Sequence, residues 1–407
     1  MRVLQNIGML ATCRAEGGQG EIHAIRDAAL VWDGDRILWA GPEAELPAAH
    51  AAADRSDARG RLVVPGLVDC HTHLAFAGWR ADEFARRIAG ESYLDIARAG
   101  GGIMRTVRET RAAAEDALLE RAAGFLDGMT ALGVTTVECK SGYGLDRDTE
   151  LRLLRVYRAL ARRGPARIVA TYLGAHVVPP EFRDRRADYV RLVLDLIREV
   201  AVAGLARCVD AFVEETAFTP AEAREILHAA ARAGLLAKLH ADQLSDGGGA
   251  ALAAEVGAVS ADHLEHASGE GMAAMARTGT VAVSLPLATL YLAQPPMPAR
   301  AFIDAGVPVA VATDFNPGSA PSAHLPLALT LACTLQRMTP QEALKGATLH
   351  AARAVGLADR LGSLEPGKAA DFAIIDAPDV NHWLYHFRPN ACVRTVIAGR
   401  TAWKAAP

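Results

Sequence analysis

The sequence predicts an α/β chain: a (β/α)8 TIM-like barrel with a small β-sandwich domain built from both termini. Three observations carry this. Over the middle of the chain, short β-branched runs alternate eight times with long Ala/Leu/Arg stretches of helical spacing. Both ends read as β where the middle does not. The first of the eight runs closes on Asp69-Cys70-His71-Thr72-His73. A doubly wound open sheet, the competing architecture, would usually place a glycine-rich phosphate loop there.

The elements follow in order. Ala28–Trp32 and Arg36–Ala40 flank Asp33-Gly34-Asp35, two apolar runs around an Asp-Gly turn, and so form a hairpin. At the other end Asp371–Ile375 and Arg394–Ala398 read as strands and Gly399-Arg400 as a turn, with turn chemistry at Leu364–Lys368 before them. Residues 1–60 and 360–407 are therefore assigned to one composite β domain, with 61–359 inserted as the barrel. The eight barrel runs are Arg61–Val68, Val134–Cys139, Arg167–Leu173, Cys208–Val213, Leu236–Leu239, Ala258–Asp262, Thr280–Ser284 and Pro308–Thr313. Helical stretches at Arg111–Leu132, Thr149–Arg162, Asp188–Val202, Ala221–Ala233 and Ala323–Leu335 lie between or after them.

Composition sets outer bounds. The 407 residues are 51% hydrophobic and 22% charged, an ordinary globular balance that excludes extensive disorder. A net charge of −4 leaves no basic footprint for nucleic acid. No apolar run reaches the ~18 residues of a membrane helix. Met1–Thr12 lacks the basic start and continuous apolar stretch of a secretory signal. The six cysteines (13, 70, 139, 208, 333, 392) stand singly, which fits reduced, buried thiols in a cytoplasmic protein.

In a barrel, chemistry sits where strands end and βα loops begin. Of the 13 histidines, five fall at such ends: His71, His73, His176, His240 and His263. The remaining eight read mostly as structural or surface residues, His266 being the least settled. Lys140 ends the second run, Glu214 and Glu215 the fourth, and Asp314 the eighth. His71 and His73, two apart on a strand, point to one side and can converge on one metal ion. His240 is the best third nitrogen, and the eighth strand neighbours the first in a closed barrel, so Asp314 can add a carboxylate. Three histidines and an aspartate suit a catalytic Zn²⁺ or Fe²⁺.

This constellation, with Val64–His73 and Gly362–Asp371, resembles the amidohydrolase superfamily of metal-dependent hydrolases. Longer stretches are similar to one branch of it: Phe76–Arg80, Lys140–Leu145, Thr171–His176, His240–Leu244 and Thr313–Gly318. The resemblance implies one divalent metal per chain, Zn²⁺ or Fe²⁺/Fe³⁺, on His71, His73, His240 and Asp314. It implies substrate contacts from Arg80, Tyr143, His176, Gln243, Asn316, Gly318 and Ser319, and catalytic roles for His263 and Asp314. The implied reaction, in histidine degradation, is opening of a small molecule, 4-imidazolone-5-propanoate, by metal-activated water to give N-formimino-L-glutamate. A homodimer follows only by analogy. Gln243 departs from superfamily members that place a glutamate there; an amide cannot shuttle protons, so proton handling shifts to His263 and Asp314. Lys140 has two readings, a carboxylated bridge between two metals or a structural ion pair. Glu214 and Glu215 stay undecided between supporting and surface roles. A related hydrolase or deaminase of another cyclic amide or amidine, and a non-catalytic scaffold, are the alternative functions.

Overall fold

The computed structural model describes residues 1–50, 52–91, 95–96 and 99–406. Strand β1 (Arg2–Ala11) pairs antiparallel with β2 (Ala24–Asp33), which turns into β3 (Arg36–Pro42). Gly34 in that turn takes φ +53°, a conformation glycine adopts without a Cβ penalty. β4 (Asp54–Asp57) and β5 (Leu62–Pro65) lie parallel to successive stretches of β1. The run Arg61–Val68, expected as one barrel strand, is two. Leu62–Pro65 belongs to the terminal sheet, which thus extends past residue 60, and only β6 (Leu67–Asp69) enters the barrel. The step falls at Gly66, where a Cβ would lie 2.4 Å from the Thr135 side chain.

The remaining barrel strands are β7 (Val134–Lys140), β8 (Arg167–Ala175), β9 (Cys208–Val213), β10 (Leu236–Ala241), β11 (Ser260–His263), β12 (Val281–Ser284) and β13 (Val309–Val311). They run parallel in sequence order, as right-handed strand–helix–strand units require. Beyond their last paired residues β13 and β6 are joined as well. Asp69 accepts hydrogen bonds from Thr313 N (3.1 Å) and Oγ1 (2.6 Å), and Asp314 N donates to His71 O (3.0 Å). The barrel therefore closes at the C-terminal ends of its strands, and the open doubly wound sheet is excluded. The surrounding helices start on local chemistry: Asp146 Oδ1 accepts from Thr149 N, and Thr219 with Glu222 forms a capping box before Pro220–Arg232. The stretch expected as one helix at 111–132 is split into Ile103–Ala112 and Glu115–Ala131. Ala113 and Ala114 are extended, and Glu115 and Asp116 favour a new helix start.

From the C-terminus, β14 (Phe372–Ile375) pairs antiparallel with β5, followed by β15 (Cys392–Ile397) and β16 (Arg400–Lys404). The terminal sheet runs β16-β15-β14-β5-β1-β2-β3, with β4 on β1. It bends over its own core. Trp32 on β2 and Phe372 on β14 pack edge-on with ring centroids 5.2 Å apart, although two strands lie between theirs. Leu30, Ile37, Val63 and Ile374 share that core, and Trp32 Nε1 donates to Gly399 O (3.0 Å). The five cysteines other than Cys333 are buried, and all six are free. Among the described residues no helix is long and apolar enough to cross a membrane.

Candidate metal centre and active site

Residues two apart on a strand face the same way. Glu138 and Lys140 on β7, Lys238 and His240 on β10, and Ser260 and Asp262 on β11 are all buried and meet inside the barrel. His71 and His73 follow β6 in the same alternation. The ligand atoms of His71, His73 and His240 lie within 4.8 Å of one another, as do those of His71, His263 and Asp314. Asp314 Oδ1 is 3.4 Å from His71 Nε2 and 3.5 Å from His73 Nε2. Five sequence-predicted residues from four strand ends thus surround one point.

The donor set fits a metal ion. His71 Nε2, His73 Nδ1, His240 Nε2 and His263 Nδ1 are buried and have no hydrogen-bond partner. His71 Nε2 and His240 Nε2 are the nitrogens opposite the carboxylate-bonded Nδ1 atoms, and leaving them unpaired in the interior is costly unless something binds them. Burial, then the charges of Lys140, His240 and His263, pushes the His71 pKa well below its usual range; burial and the neighbouring imidazoles do the same to His73. Both rings are therefore neutral, the ligating form. Burial pushes the Asp314 carboxyl well up, against hydrogen bonds from Asn316 and Ser319. A cation beside it reverses that preference.

Beneath the point lies a layer of buried charge, of which the sequence reading found Lys140 but not its partners. Asp262 Oδ2 accepts from His71 Nδ1 (2.6 Å), and Asp210 Oδ1 accepts from His240 Nδ1 (3.1 Å). Each carboxylate fixes which nitrogen its histidine turns towards the centre. Lys140 Nζ holds both acids in place, 2.7 Å from Asp210 and 3.6 Å from Asp262, and is 2.8 Å from Glu138. Burial alone lowers an ammonium pKa, but these three carboxylates outweigh it and hold Lys140 well above its usual value. Lys238 adds a second cation, 3.4 Å from Asp262. Lys140 is thus an ion-pair residue here; a lysine carbamate would put another negative charge among three carboxylates. The available signal was an acid inside a buried β run, as in Cys208-Val-Asp-Ala-Phe-Val213.

The residues expected to meet a substrate lie on the loops after these strands. Tyr143 and His176 stand against His73, with ring centroids 5.6 and 5.4 Å away. His176 Nδ1 donates to Gly142 O (2.9 Å), leaving Nε2 towards the site, and burial lowers its pKa to about 4. The loop around Tyr143 is wrapped on the Glu150 carboxylate, which accepts from the backbone of Gly142, Gly144 and Leu145. Asn316 Nδ2 donates to Asp314 O (2.6 Å) and Ser319 Oγ (2.9 Å), and its Oδ1 accepts from Gly318 N and Ser319 N. Arg80 lies on this loop: a Cβ at Gly318 would sit 1.0 Å from Arg80 Nη2. Arg80 Nε is buried without a hydrogen bond, and the Glu83 carboxylate lies 3.9 Å from it.

Gln243 is half-buried and held from both sides. Asp242 before it caps the helix Gly249–Glu255 through Gly249 N and Ala250 N, both 2.8 Å. Glu214 accepts from Leu244 N (2.7 Å) and Ser245 Oγ (2.9 Å) after it. Glu214 thus supports the loop, whereas Glu215 is exposed, as is His266. His263, Leu264, Asp242 and Asp314 all have positive φ, His263 at +81°. Such backbone is held by the surrounding structure and clusters at functional sites. Glu265, also missed, has an enclosed side chain whose Oε2 makes no hydrogen bond and lies 3.9 Å from His263 Nδ1.

The match to the amidohydrolase family spans residues 62–402, and the chain belongs to that family. Among its relatives is the imidazolonepropionase of Cupriavidus necator, 50% identical over 398 residues, covering 97% of this chain and 95% of that protein. That of Paracoccus denitrificans is 48% identical, over 98% and 99%. An adenosine deaminase from Xanthomonas campestris, solved with bound zinc, shares the fold at TM-score 0.75 and 19% identity, over 98% and 92% of the two chains.

Proposed function

We propose that the chain acts as an imidazolonepropionase, opening 4-imidazolone-5-propanoate with water to N-formimino-L-glutamate in histidine degradation. The observation that carries this reading is the seat of Arg80. A guanidinium whose Nε makes no hydrogen bond rests on the loop that follows Asp314, the carboxylate grouped with His71 and His263. A planar two-pronged donor suits a carboxylate tail, and a neutral ring substrate would have no use for it. Near-half identity to imidazolonepropionases over nearly the whole chain supports the same substrate.

His71, His73, His240 and Asp314 would hold one ion per chain, zinc or iron. Bound there, it supplies acidification of water and polarisation of a carbonyl. Asp314, steadied by Asn316 and Ser319, takes the proton from the attacking water. The water oxygen adds to the ring carbonyl carbon. His263 donates an N–H to the carbonyl oxygen as charge develops there. The ring C–N bond breaks, and the nitrogen leaves with the proton held by Asp314. Tyr143 and His176 face the planar ring, Gln243 orients it, and Arg80 reads the propanoate. The enzyme acts in the cytoplasm, as a homodimer by analogy.

The test is turnover of 4-imidazolone-5-propanoate, followed by loss of ring absorbance, beside a panel of purines, triazines and an imidazolone without the propanoate. The proposal requires the tailed imidazolone to be by far the best substrate. Preference for a purine or triazine would move the chain to another branch of the family.

A further inference from the structure

The loop that carries Arg80 is held from behind. After β6, Tyr157 OH donates nothing to it but accepts Ala75 N (3.1 Å), and Thr110 Oγ1 accepts Ala77 N (3.1 Å). The next hold comes from Arg121, on the helix Glu115–Ala131, whose Nη2 donates to Gly78 O (2.9 Å). Gly78 takes φ +74° and packs against the Glu109 carboxylate, where a Cβ would overlap Oε2 at 1.3 Å. The turn that aims Arg80 therefore has no side chain of its own at 78 to lock it.

The same guanidinium covers an aromatic cluster. Its carbon lies 4.7 Å from the ring centre of Phe76, 5.1 Å from Trp79 and 5.6 Å from Phe125. The rings extend to Phe315, the residue after Asp314, with centroids 4.9 Å from Phe125 and 5.9 Å from Phe76. One cluster thus ties the Arg80 loop to the loop on which Arg80 rests. A leucine or methionine would pack those rings without desolvating a charge. What only arginine supplies is stacking on the rings and donation to Gly78 O at once.

We propose that Arg121 is a positioning residue for carboxylate recognition: it fixes the Phe76–Arg80 turn and thereby the seat of Arg80 on Gly318. This rests on the reading of Arg80 given above. The experiment compares kcat/KM for imidazolones with and without the propanoate tail in the metal-loaded wild type, Arg80→Ala, Arg121→Met, Arg121→Lys and the double variant Arg80→Ala/Arg121→Met, with thermal melts alongside. Losing a hydrogen bond and a cation–π contact predicts a drop of about 5–50-fold for the tailed substrate with Arg121→Met, mostly in KM. The tailless substrate should change less than about twofold, Arg121→Lys should recover part of the loss, and Arg121→Met should cost little more once Arg80 is alanine. Equal losses on both substrates, or effects of the two substitutions that multiply, overturn the proposal. So does a silent Arg121→Met where Arg80→Ala discriminates, and that result leaves the reading of Arg80 intact. An Arg80→Ala that fails to discriminate overturns both.

Discussion

Replacing Lys140 by methionine keeps the length of the side chain and removes its charge. In the native protein that charge lies 2.7 Å from Asp210, 2.8 Å from Glu138 and 3.6 Å from Asp262, with every partner buried. Lys238 remains, but its nearest carboxylate is Asp262 at 3.4 Å, so Asp210 and Glu138 lose their closest cation. Breaking a buried pair from one side typically costs about 3–5 kcal/mol, since the stranded charge has no water to turn to. The damage should also reach the histidines. Asp210 and Asp262 shift towards protonation and accept less well from His240 and His71. Loss of such outer partners typically weakens metal affinity about 10–100-fold. Urea unfolding of metal-free protein measures the first effect, and chelator competition measures the second. A stability within about 0.5 kcal/mol of wild type, together with unchanged metal affinity, would refute the reasoning. Bicarbonate-dependent binding of two ions by the wild type would return Lys140 to the bridging role.

Asp314→Ala should leave the fold intact, empty the metal site and abolish turnover; a variant that keeps its ion and works shows that Asp314 neither binds nor takes a proton. His263→Ala should retain the ion while kcat falls roughly 10²–10³-fold, the usual loss for an electrostatic donor. Loss of metal in that variant makes His263 a ligand, and unchanged kcat makes it structural. Glu265 gives a pH test in metal-free protein. Burial raises its carboxyl from 4.5 to about 8, so between those values the native state keeps a proton that the unfolded chain has released. Stability then falls as pH rises through that window. Glu265→Gln should therefore be more stable than wild type above pH 8, by up to a few kcal/mol, and no different near pH 4. Urea midpoints at the two pH values check this, and an equal difference at both contradicts it.

What the sequence displayed was position along strands. His71, His73, His240, His263 and Asp314 stand at the ends of β runs, and a closed barrel has to bring such ends together. Asp210 and Asp262 escaped notice because an acid in an alternating run reads as the solvent side, whereas inside a barrel both alternations are buried. The first strand's division at Gly66 was hidden because Leu62–Val68 carries no polar side chain, so its hydrophobic period does not mark where the chain leaves one sheet for the other. The split at Ala113-Ala114 was masked by alanine, which suits a helix as well as a break. Arg80 could be assigned to the right loop, but its seat on Gly318 and its support by Arg121 depend on contacts across more than 200 and about 40 residues respectively.

The central claim is one metal ion, held by three histidines and an aspartate, serving the opening of an imidazolone ring. Its most direct test is to strip the protein with chelator and titrate it with Zn²⁺ or Fe²⁺ while following the ring absorbance of 4-imidazolone-5-propanoate. Activity should be absent at the start, rise in proportion to added metal and level off at one equivalent per chain. Full activity in the stripped protein, or a rise that continues to two equivalents, would contradict it.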